Sequence, residues 1–234
     1  MSAFGLAADA RVLWRMLRGQ PRTGSHAERL QGFYASQATR YDVFRARLLQ
    51  GREALIADLD IRPGARIVDL GCGTGSNLAV MARACALSDL AGVHLIDLCP
   101  ALLDQARQRA RGHANIEVAE ADAAHWRPAL PVDRVLLSYS LSMMPDWPDV
   151  LDNAHAMLAP GGLIGVVDFR LPHHGPGRWF WRAWFSHDGV HLTDAHLPAL
   201  QARFRTRAVG HGHAPLPYLP GAHAHHYRFV GAKD

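Results

Sequence analysis

The sequence has 234 residues, of which 49% are hydrophobic and 20% are charged, a composition typical of a soluble globular protein. It contains no apolar run long enough to span a bilayer, and its first residues lack the order of a secretory signal, so we expect a cytoplasmic protein. The formal net charge of +4 permits contact with an anionic surface but does not require it. The three cysteines show no paired spacing, which argues against a disulfide framework or a cysteine-based zinc site.

Two segments precede the main pattern. Residues 1–24 carry arginines at helical spacing beside apolar residues, which predicts a basic amphipathic segment. Ser25 and Glu28 have the spacing of a capping box, and the apolar residues that follow predict a long amphipathic helix within a helical lid over residues 25–60. We assign residues 61–234 to one further domain.

From Ala65 onward, short apolar strands alternate with helices, a rhythm typical of a parallel sheet in an α/β fold. Residues 170–190 interrupt it with an aromatic insertion that contains Gly and Pro. The predicted strands are 66–70, 92–96, 116–119, 133–137 and 163–169, with two late ones near 205–209 and 227–230. The predicted helices are 76–86, 100–111 and 148–158.

A glycine-rich loop follows the first predicted strand. Residues 68–75 read Val-Asp-Leu-Gly-Cys-Gly-Thr-Gly, which lets the chain turn sharply and lets a ligand approach the backbone. Ser76 stands where the dinucleotide-binding fingerprint requires glycine or alanine. The carboxylate of Asp69 would repel a pyrophosphate but attract the ammonium and sulfonium groups of S-adenosylmethionine.

Two further aspartates follow the next two strands. Asp97 ends the second strand, where a carboxylate can accept hydrogen bonds from both ribose hydroxyls, and Asp122 can accept one from the adenine amino group. We therefore expect S-adenosylmethionine as the cofactor and S-adenosylhomocysteine as its product. The expected cofactor-binding residues are Asp69, Gly71, Cys72, Gly73, Gly75, Asp97, Leu98, Asp122, Ala123 and Ser138.

Residues 66–169, with the Pro-Gly-Gly turn at 160–162, resemble the Rossmann-like (class I) S-adenosylmethionine-dependent methyltransferases. The resemblance implies an α/β three-layer sandwich. Its sheet would have seven mostly parallel strands with an antiparallel last strand, and a helical lid would lie at its N-terminal side.

Outside this region, three stretches resemble the diacylglycerylhomoserine N-methyltransferases of betaine-lipid synthesis. They are 33–42 with 48–52, 185–192, and 216–221. The resemblance implies three successive methyl transfers to the homoserine amine of diacylglycerylhomoserine, which yield a trimethylated betaine lipid. A separate aminocarboxypropyl-transferring enzyme would supply this lipid headgroup substrate.

Four tyrosines could line the path of an amine that becomes permanently cationic, because aromatic faces stabilise cations. These candidate catalytic residues are Tyr34, Tyr41, Tyr139 and Tyr218. Each could equally be a half-buried packing residue. Arg45, Arg47 or Arg52 could hold the substrate carboxylate, or could lie on a solvated helix face.

A lipid acceptor would place the enzyme peripherally on the inner face of the cytoplasmic membrane. The basic segment 1–24 and the aromatic stretch 178–185 have compositions suited to an anionic membrane surface. Segment 1–24 could instead be a disordered extension, and the aromatic rings could form a lid packed over the sheet.

Other functions stay open. The chain could methylate phosphatidylethanolamine or a soluble small molecule, or could be a regulatory protein that binds S-adenosylmethionine without turnover. Nucleic-acid methyltransferases normally carry an Asn/Asp-Pro-Pro-aromatic motif after the fourth strand. Residues 138–141 read Ser-Tyr-Ser-Leu at that position, so we expect no nucleic-acid partner. We also expect no metal at the histidine-rich stretches 211–213 and 223–226, because methyl transfer from a sulfonium to an amine needs no Lewis acid.

Overall fold

A computed structural model describes residues 24–25, 28–29, 31–32, 48–172, 177–187, 189–216 and 222–234. These residues include a seven-stranded sheet of order β3-β2-β1-β4-β5-β7-β6. Its strands are β1 (Arg66–Leu70), β2 (Gly92–Asp97), β3 (Ile116–Glu120), β4 (Val132–Ser138), β5 (Leu158–Phe169), β6 (Arg205–Pro215) and β7 (His223–Ala232). Strand β7 runs antiparallel to both of its neighbours, and β1 to β5 pair in parallel. The predicted α/β class with an antiparallel last strand is confirmed.

The described α-helices cover both faces of this sheet. They are α1 (Arg52–Asp58), α2 (Asn77–Ala84), α3 (Pro100–Ala110), α4 (Trp147–Met157), α5 (Gly177–His187) and α6 (His196–Arg203). Short 3-10 turns lie at Leu87–Asp89 and Leu141–Met143. None of the helices in the described part of the chain is long and apolar enough to cross a membrane.

The hydrophobic core has two halves, one on each face of the sheet. Ile67 of β1 belongs to the half that contains α1, α2 and α3, whereas its neighbour Val68 belongs to the half that contains α4 and α6. Both side chains are completely buried. Adjacent apolar residues of one strand are buried on opposite faces because helices cover a parallel sheet on both sides.

Three strands are at least five residues longer than the sequence prediction, whereas the other four agree with it to within two residues. Strand β5 begins at Leu158 instead of residue 163, since Leu158 pairs with Val132 and the Gly161 N–H donates to the carbonyl of Lys233. The late strands β6 and β7 extend to Pro215 and back to His223, because their Gly- and His-rich residues pair with each other across the hairpin. Backbone pairing between strands therefore extends into residues for which the sequence predicted a turn or a loop.

The N-terminal region is described in part. The predicted capping box is confirmed: the Ser25 N–H donates to Glu28 Oε2 at 2.7 Å, and the Glu28 N–H donates to Ser25 Oγ at 3.3 Å. The Gln31 Oε1 accepts the Ala101 N–H at 3.2 Å, at the start of α3. Most of the predicted long helix, and residues 1–23, lie outside the described residues, so the lid and the domain boundaries stay predictions.

Asn153 of α4 holds the connection between β3 and β4 in place through three side-chain hydrogen bonds. Its Nδ2 donates to the carbonyls of Ala123 and Trp126, both at 2.8 Å, and its Oδ1 accepts from Arg127 Nε at 2.8 Å. The side chain is buried. A single amide therefore fixes the segment that follows β3.

We predict that Asn153→Ala lowers the free energy of unfolding by about 2–3 kcal/mol, because it removes three hydrogen bonds and leaves two carbonyls without their donor. The matched control is Asp152→Ala on the same helix. It removes only a surface ion pair with Arg203, so we expect a change below about 1 kcal/mol. Chemical denaturation measures both, and equal losses would contradict this role of Asn153.

Candidate functional site

A cavity of about 380 Å³ opens at the carboxyl ends of β1, β2 and β4. In open α/β sheets ligands bind at this edge, where the strand order reverses, as it does here between β1 and β4. The volume lies within the range of small-molecule sites. Residues from the loop after β1 and from the ends of β2 and β4 form most of the wall.

The glycine loop is held in a conformation that requires glycine. Gly71, Gly73 and Gly75 have φ values of 72°, 55° and 71°. A Cβ on Gly71 would lie 2.4 Å from the Cβ of Ser140, so two segments of the cavity wall touch at this glycine. The N–H groups of Gly71 and Cys72 donate to the carbonyl of Ile96 at 2.8 and 3.0 Å, which fastens the loop to β2.

Asp97 and Asp122 lie in the cavity wall. Asp97 Oδ2 accepts the Gly73 N–H at 2.8 Å, and its Oδ1 accepts the Cys99 N–H at 2.9 Å. Burial raises the pKa of this carboxyl above its ordinary value, and these backbone hydrogen bonds oppose the shift. Asp122 Oδ1 accepts the Ala124 N–H at 2.9 Å. Both carboxylates therefore have orientations fixed by the backbone.

Eight of the ten predicted cofactor-binding residues line the cavity. The other two are Gly75 and Asp69. Asp69 is completely buried beneath the loop, where its Oδ2 accepts from Asn77 Nδ2 at 2.9 Å. Burial raises its pKa to about 7. Asp69 does not form part of the wall, so it can act on a ligand only through its electric field and not by direct contact.

Tyr139 is the one predicted catalytic tyrosine among the described residues. Its ring lines the cavity and packs on Phe169, with centroids 4.6 Å apart. Its hydroxyl donates to the carbonyl of Gln50 at 2.6 Å, and burial raises the pKa of the phenol. A phenol that stays protonated and already donates to a carbonyl is not a general base. The other three tyrosines, Tyr34, Tyr41 and Tyr218, lie outside the described residues.

Of the three arginines considered for a carboxylate, Arg52 lines the cavity. Its Nη1 donates to Ser76 Oγ at 2.9 Å and its Nε to the Leu49 carbonyl at 3.2 Å. Arg45 and Arg47 lie outside the described residues. Arg52 thus places a permanent positive charge at the edge of the cavity beside the glycine loop.

Sequence reasoning missed several wall residues. Arg109 of α3 lines the cavity and donates to the Thr74 carbonyl, and Met143 and Met144 come from the 3-10 turn after β4. That turn is held by Asp168, which accepts from the Oγ and N–H of Ser142 at 2.6 and 2.8 Å. Burial raises the pKa of Asp168 to about 6. In the sequence, the only indication of this contact is that Asp168 is a single carboxylate in the otherwise apolar run 163–169.

The histidine-rich stretches lie on β6 and β7. The ring centroids of His213 and His223 are 5.1 Å apart, and those of His213 and His225 are 6.3 Å apart. Within the described residues, no group of three or more His, Cys, Asp or Glu side chains could hold a metal ion.

The residues of the cavity fit S-adenosylmethionine. Two residues that line the cavity carry a buried oxygen with no hydrogen-bond partner among the described residues: Asn77 Oδ1 and Ser138 Oγ. Buried polar atoms are normally paired, so these oxygens indicate a polar ligand. A Cβ on Gly73 would come no closer than 4.0 Å to any neighbouring atom, so the loop leaves room for close approach of a ligand. The loop and the two wall carboxylates supply acceptors for hydroxyl, amino and ammonium groups.

Comparisons with known proteins agree with this fit. A family model described as a methyltransferase domain matches residues 67–162. The trans-aconitate 2-methyltransferase of Klebsiella pneumoniae is 34% identical over 126 residues, which are 54% of this chain and 46% of that protein. Residues 67–162 form an S-adenosylmethionine-dependent methyltransferase domain. The predicted class and its cofactor are confirmed.

Two further comparisons extend beyond the methyltransferase domain. The trans-aconitate 2-methyltransferase of Streptomyces avermitilis is 32% identical over 183 residues, 71% of this chain and 66% of that protein. Phosphoethanolamine N-methyltransferase 2 of Haemonchus contortus, solved with phosphomonomethylethanolamine and S-adenosylhomocysteine, has a TM-score of 0.72 at 14% identity and covers 91% of this chain and 61% of that one. The latter shows the shared fold. The chain spans about half the length of the first curated relatives it matches.

We predict that Gly71→Ala weakens S-adenosylhomocysteine binding by at least about tenfold, because the new methyl group would collide with Ser140 in the cavity wall. Gly64→Ala is the matched control. Gly64 has a similar φ of 82° but has nothing within 4 Å of an added Cβ. Both variants therefore strain the backbone, but only Gly71→Ala produces a collision. Calorimetric titration should show affinity within about twofold of wild type for the control. Equal weakening in both variants would contradict the collision.

We predict that the affinity for S-adenosylmethionine rises with pH through about 7. The folded-state pKa of Asp69 lies above the ordinary value of 3.8, so the carboxyl is protonated below pH 7 and charged above it. The cationic cofactor favours the charged form, so binding lowers this pKa and releases a proton near pH 6. Calorimetry in two buffers of different ionisation enthalpy measures the release. Asp69→Asn should abolish this contribution, and an unchanged proton release in that variant would rule Asp69 out as its source.

Proposed function

We propose that this protein transfers a methyl group from S-adenosylmethionine to a small carboxylic acid. The observation that carries the proposal is the positive charge of Arg52 in the cavity wall, beside the glycine loop. The Klebsiella and Streptomyces relatives described above, both more than 30% identical, are named trans-aconitate 2-methyltransferase, and trans-aconitate is a small polycarboxylate. A guanidinium suits such an acceptor because it pairs with carboxylates in a bidentate geometry.

The chemistry asks little of the side chains in this wall. S-adenosylmethionine supplies a methyl group on a sulfonium: an acceptor oxygen forms the new C–O bond, the C–S bond breaks, and its electron pair stays on sulfur. A carboxylate already carries the required lone pair at neutral pH, so no proton has to be removed. The wall needs only to orient the acceptor and exclude water. The protonated Tyr139, which is not a general base, fits that limited task.

A second candidate is N-methylation of the homoserine amine of diacylglycerylhomoserine, and one surface favours it. Trp179 and Trp184 of α5 are 77% and 36% exposed. Phe185 of the same helix packs on Phe169, with centroids 4.9 Å apart, and Phe169 packs on Tyr139 in the cavity wall. Exposed indoles on a helix that contacts the cavity wall through Phe185 and Phe169 would suit an acceptor presented at a lipid surface.

One assay separates the two candidates. Purified protein is incubated with methyl-labelled S-adenosylmethionine and either small di- and tricarboxylic acids, including trans-aconitate, or vesicles that contain diacylglycerylhomoserine. Asp97→Ala is the inactive control, because it removes the carboxylate bonded to the loop. We expect label in a methyl ester, which strong base releases as volatile methanol.

The outcomes differ chemically. Label in the lipid that resists strong base identifies an N-methyl group and supports the second candidate against the first. Label in neither acceptor, from protein that still binds S-adenosylhomocysteine, overturns both acceptor classes and leaves the cofactor site standing.

A further inference from the structure

The chain enters the cavity wall through a tight turn that lies outside the methyltransferase domain. Residues 48–51 form this turn, which leads directly into α1. It delivers two wall residues, Leu49 and Arg52. Gly51 occupies the N-cap position of α1 with a φ of 84°, so this helix has no side chain that caps its first N–H groups. The contacts that hold this turn therefore fix the backbone from which Arg52 reaches Ser76 and the cavity.

The turn packs against the sheet at Gly51. A Cβ on Gly51 would lie 3.1 Å from His226 Nε2 and 3.4 Å from Val167 Cγ2, so the glycine packs closely against β7 and β5. This contact limits how near the turn lies to the sheet. Apolar and ring contacts of this kind leave sliding along the sheet less restricted than a directional hydrogen bond does.

A directional contact is supplied by Tyr139. Its hydroxyl donates to the carbonyl of Gln50 at 2.6 Å, across 89 residues of sequence. The tyrosine itself is held in the left-handed region, with a φ of 56°, a conformation that is costly for a residue with a side chain. Its N–H donates to the Val167 carbonyl at 2.7 Å, and its ring packs on Phe169. Backbone, ring and hydroxyl thus fix Tyr139 at three points.

We propose that Tyr139 is a positioning residue: its hydroxyl fixes the turn at residues 48–51 and thereby holds the Arg52 guanidinium where it binds a carboxylate in the cavity. The carboxylate belongs either to S-adenosylmethionine or to an acid acceptor. Tyr139 acts through Arg52 and transfers no proton. The proposal rests on the function proposed above only for the second of these carboxylates.

The test is Tyr139→Phe, which keeps the ring and removes the hydroxyl. The matched control is Tyr227→Phe, since the buried hydroxyl of Tyr227 has no hydrogen-bond partner among the described residues. For Tyr139→Phe we expect an increase of about tenfold in the dissociation constant of S-adenosylhomocysteine or in the KM of the acid acceptor, with kcat within about twofold of wild type. Tyr227→Phe should change none of these values.

The two increases identify the source of the carboxylate. A higher dissociation constant for S-adenosylhomocysteine assigns Arg52 to the cofactor, and this measurement needs no acceptor. A higher acceptor KM alone assigns Arg52 to the acceptor. If the acceptor class proposed above is wrong, the binding measurement still decides the role of Tyr139 toward the cofactor.

A double-mutant cycle with Arg52→Lys tests the route of the effect. If Tyr139 acts through Arg52, the double variant should bind no more weakly than Arg52→Lys alone. Additive losses would overturn the proposal. So would a large fall in kcat with unchanged affinities, which would make Tyr139 a catalytic residue, or wild-type values throughout for Tyr139→Phe.

Discussion

The site depends on how the chain leaves β1. At Gly71 the backbone must turn with a positive φ while passing so close to Ser140 that no Cβ fits between them. The N–H groups of Gly71 and Cys72 then bond to the end of β2, and the Gly73 N–H bonds to Asp97. These contacts join the ends of β1, β2 and β4 into one wall. The carboxylate of Asp97 therefore has its orientation because this loop has its position.

Two buried carboxylates behind this wall, Asp69 and Asp168, have different roles. Asp168 accepts hydrogen bonds from Ser142 and from the Phe169 N–H, which satisfy its charge and fix the turn that carries Met143. Asp69 has one oxygen bonded to Asn77 and one with no partner among the described residues. Burial raises the pKa of both, but only Asp69 keeps an unsatisfied oxygen beneath the ligand loop. Asp168 is therefore a structural anchor, whereas Asp69 is poised to respond to a cation.

Much of this could be predicted from local sequence patterns. The apolar run before the glycines predicted β1 with its observed bounds, and the positions of Asp97 and Asp122 after the next two strands predicted their places in the wall. The long ends of β6 and β7 could not be predicted, because pairing across a hairpin decides the conformation of residues with weak strand propensity. The contact between Tyr139 and Gln50 also could not be predicted, since it joins a positive-φ residue to a backbone carbonyl far away in the sequence.

We infer that this cavity binds S-adenosylmethionine with its adenosine toward Asp97 and Asp122 and its carboxylate toward the glycine loop. A crystal structure of the protein with S-adenosylhomocysteine tests the claim most directly. We expect ribose hydroxyls within hydrogen-bond distance of Asp97, the adenine beside Leu98 and Asp122, and the amino-acid end between Gly71 and Ser76. A ligand bound elsewhere, or bound with its adenine at the glycine loop, would contradict it.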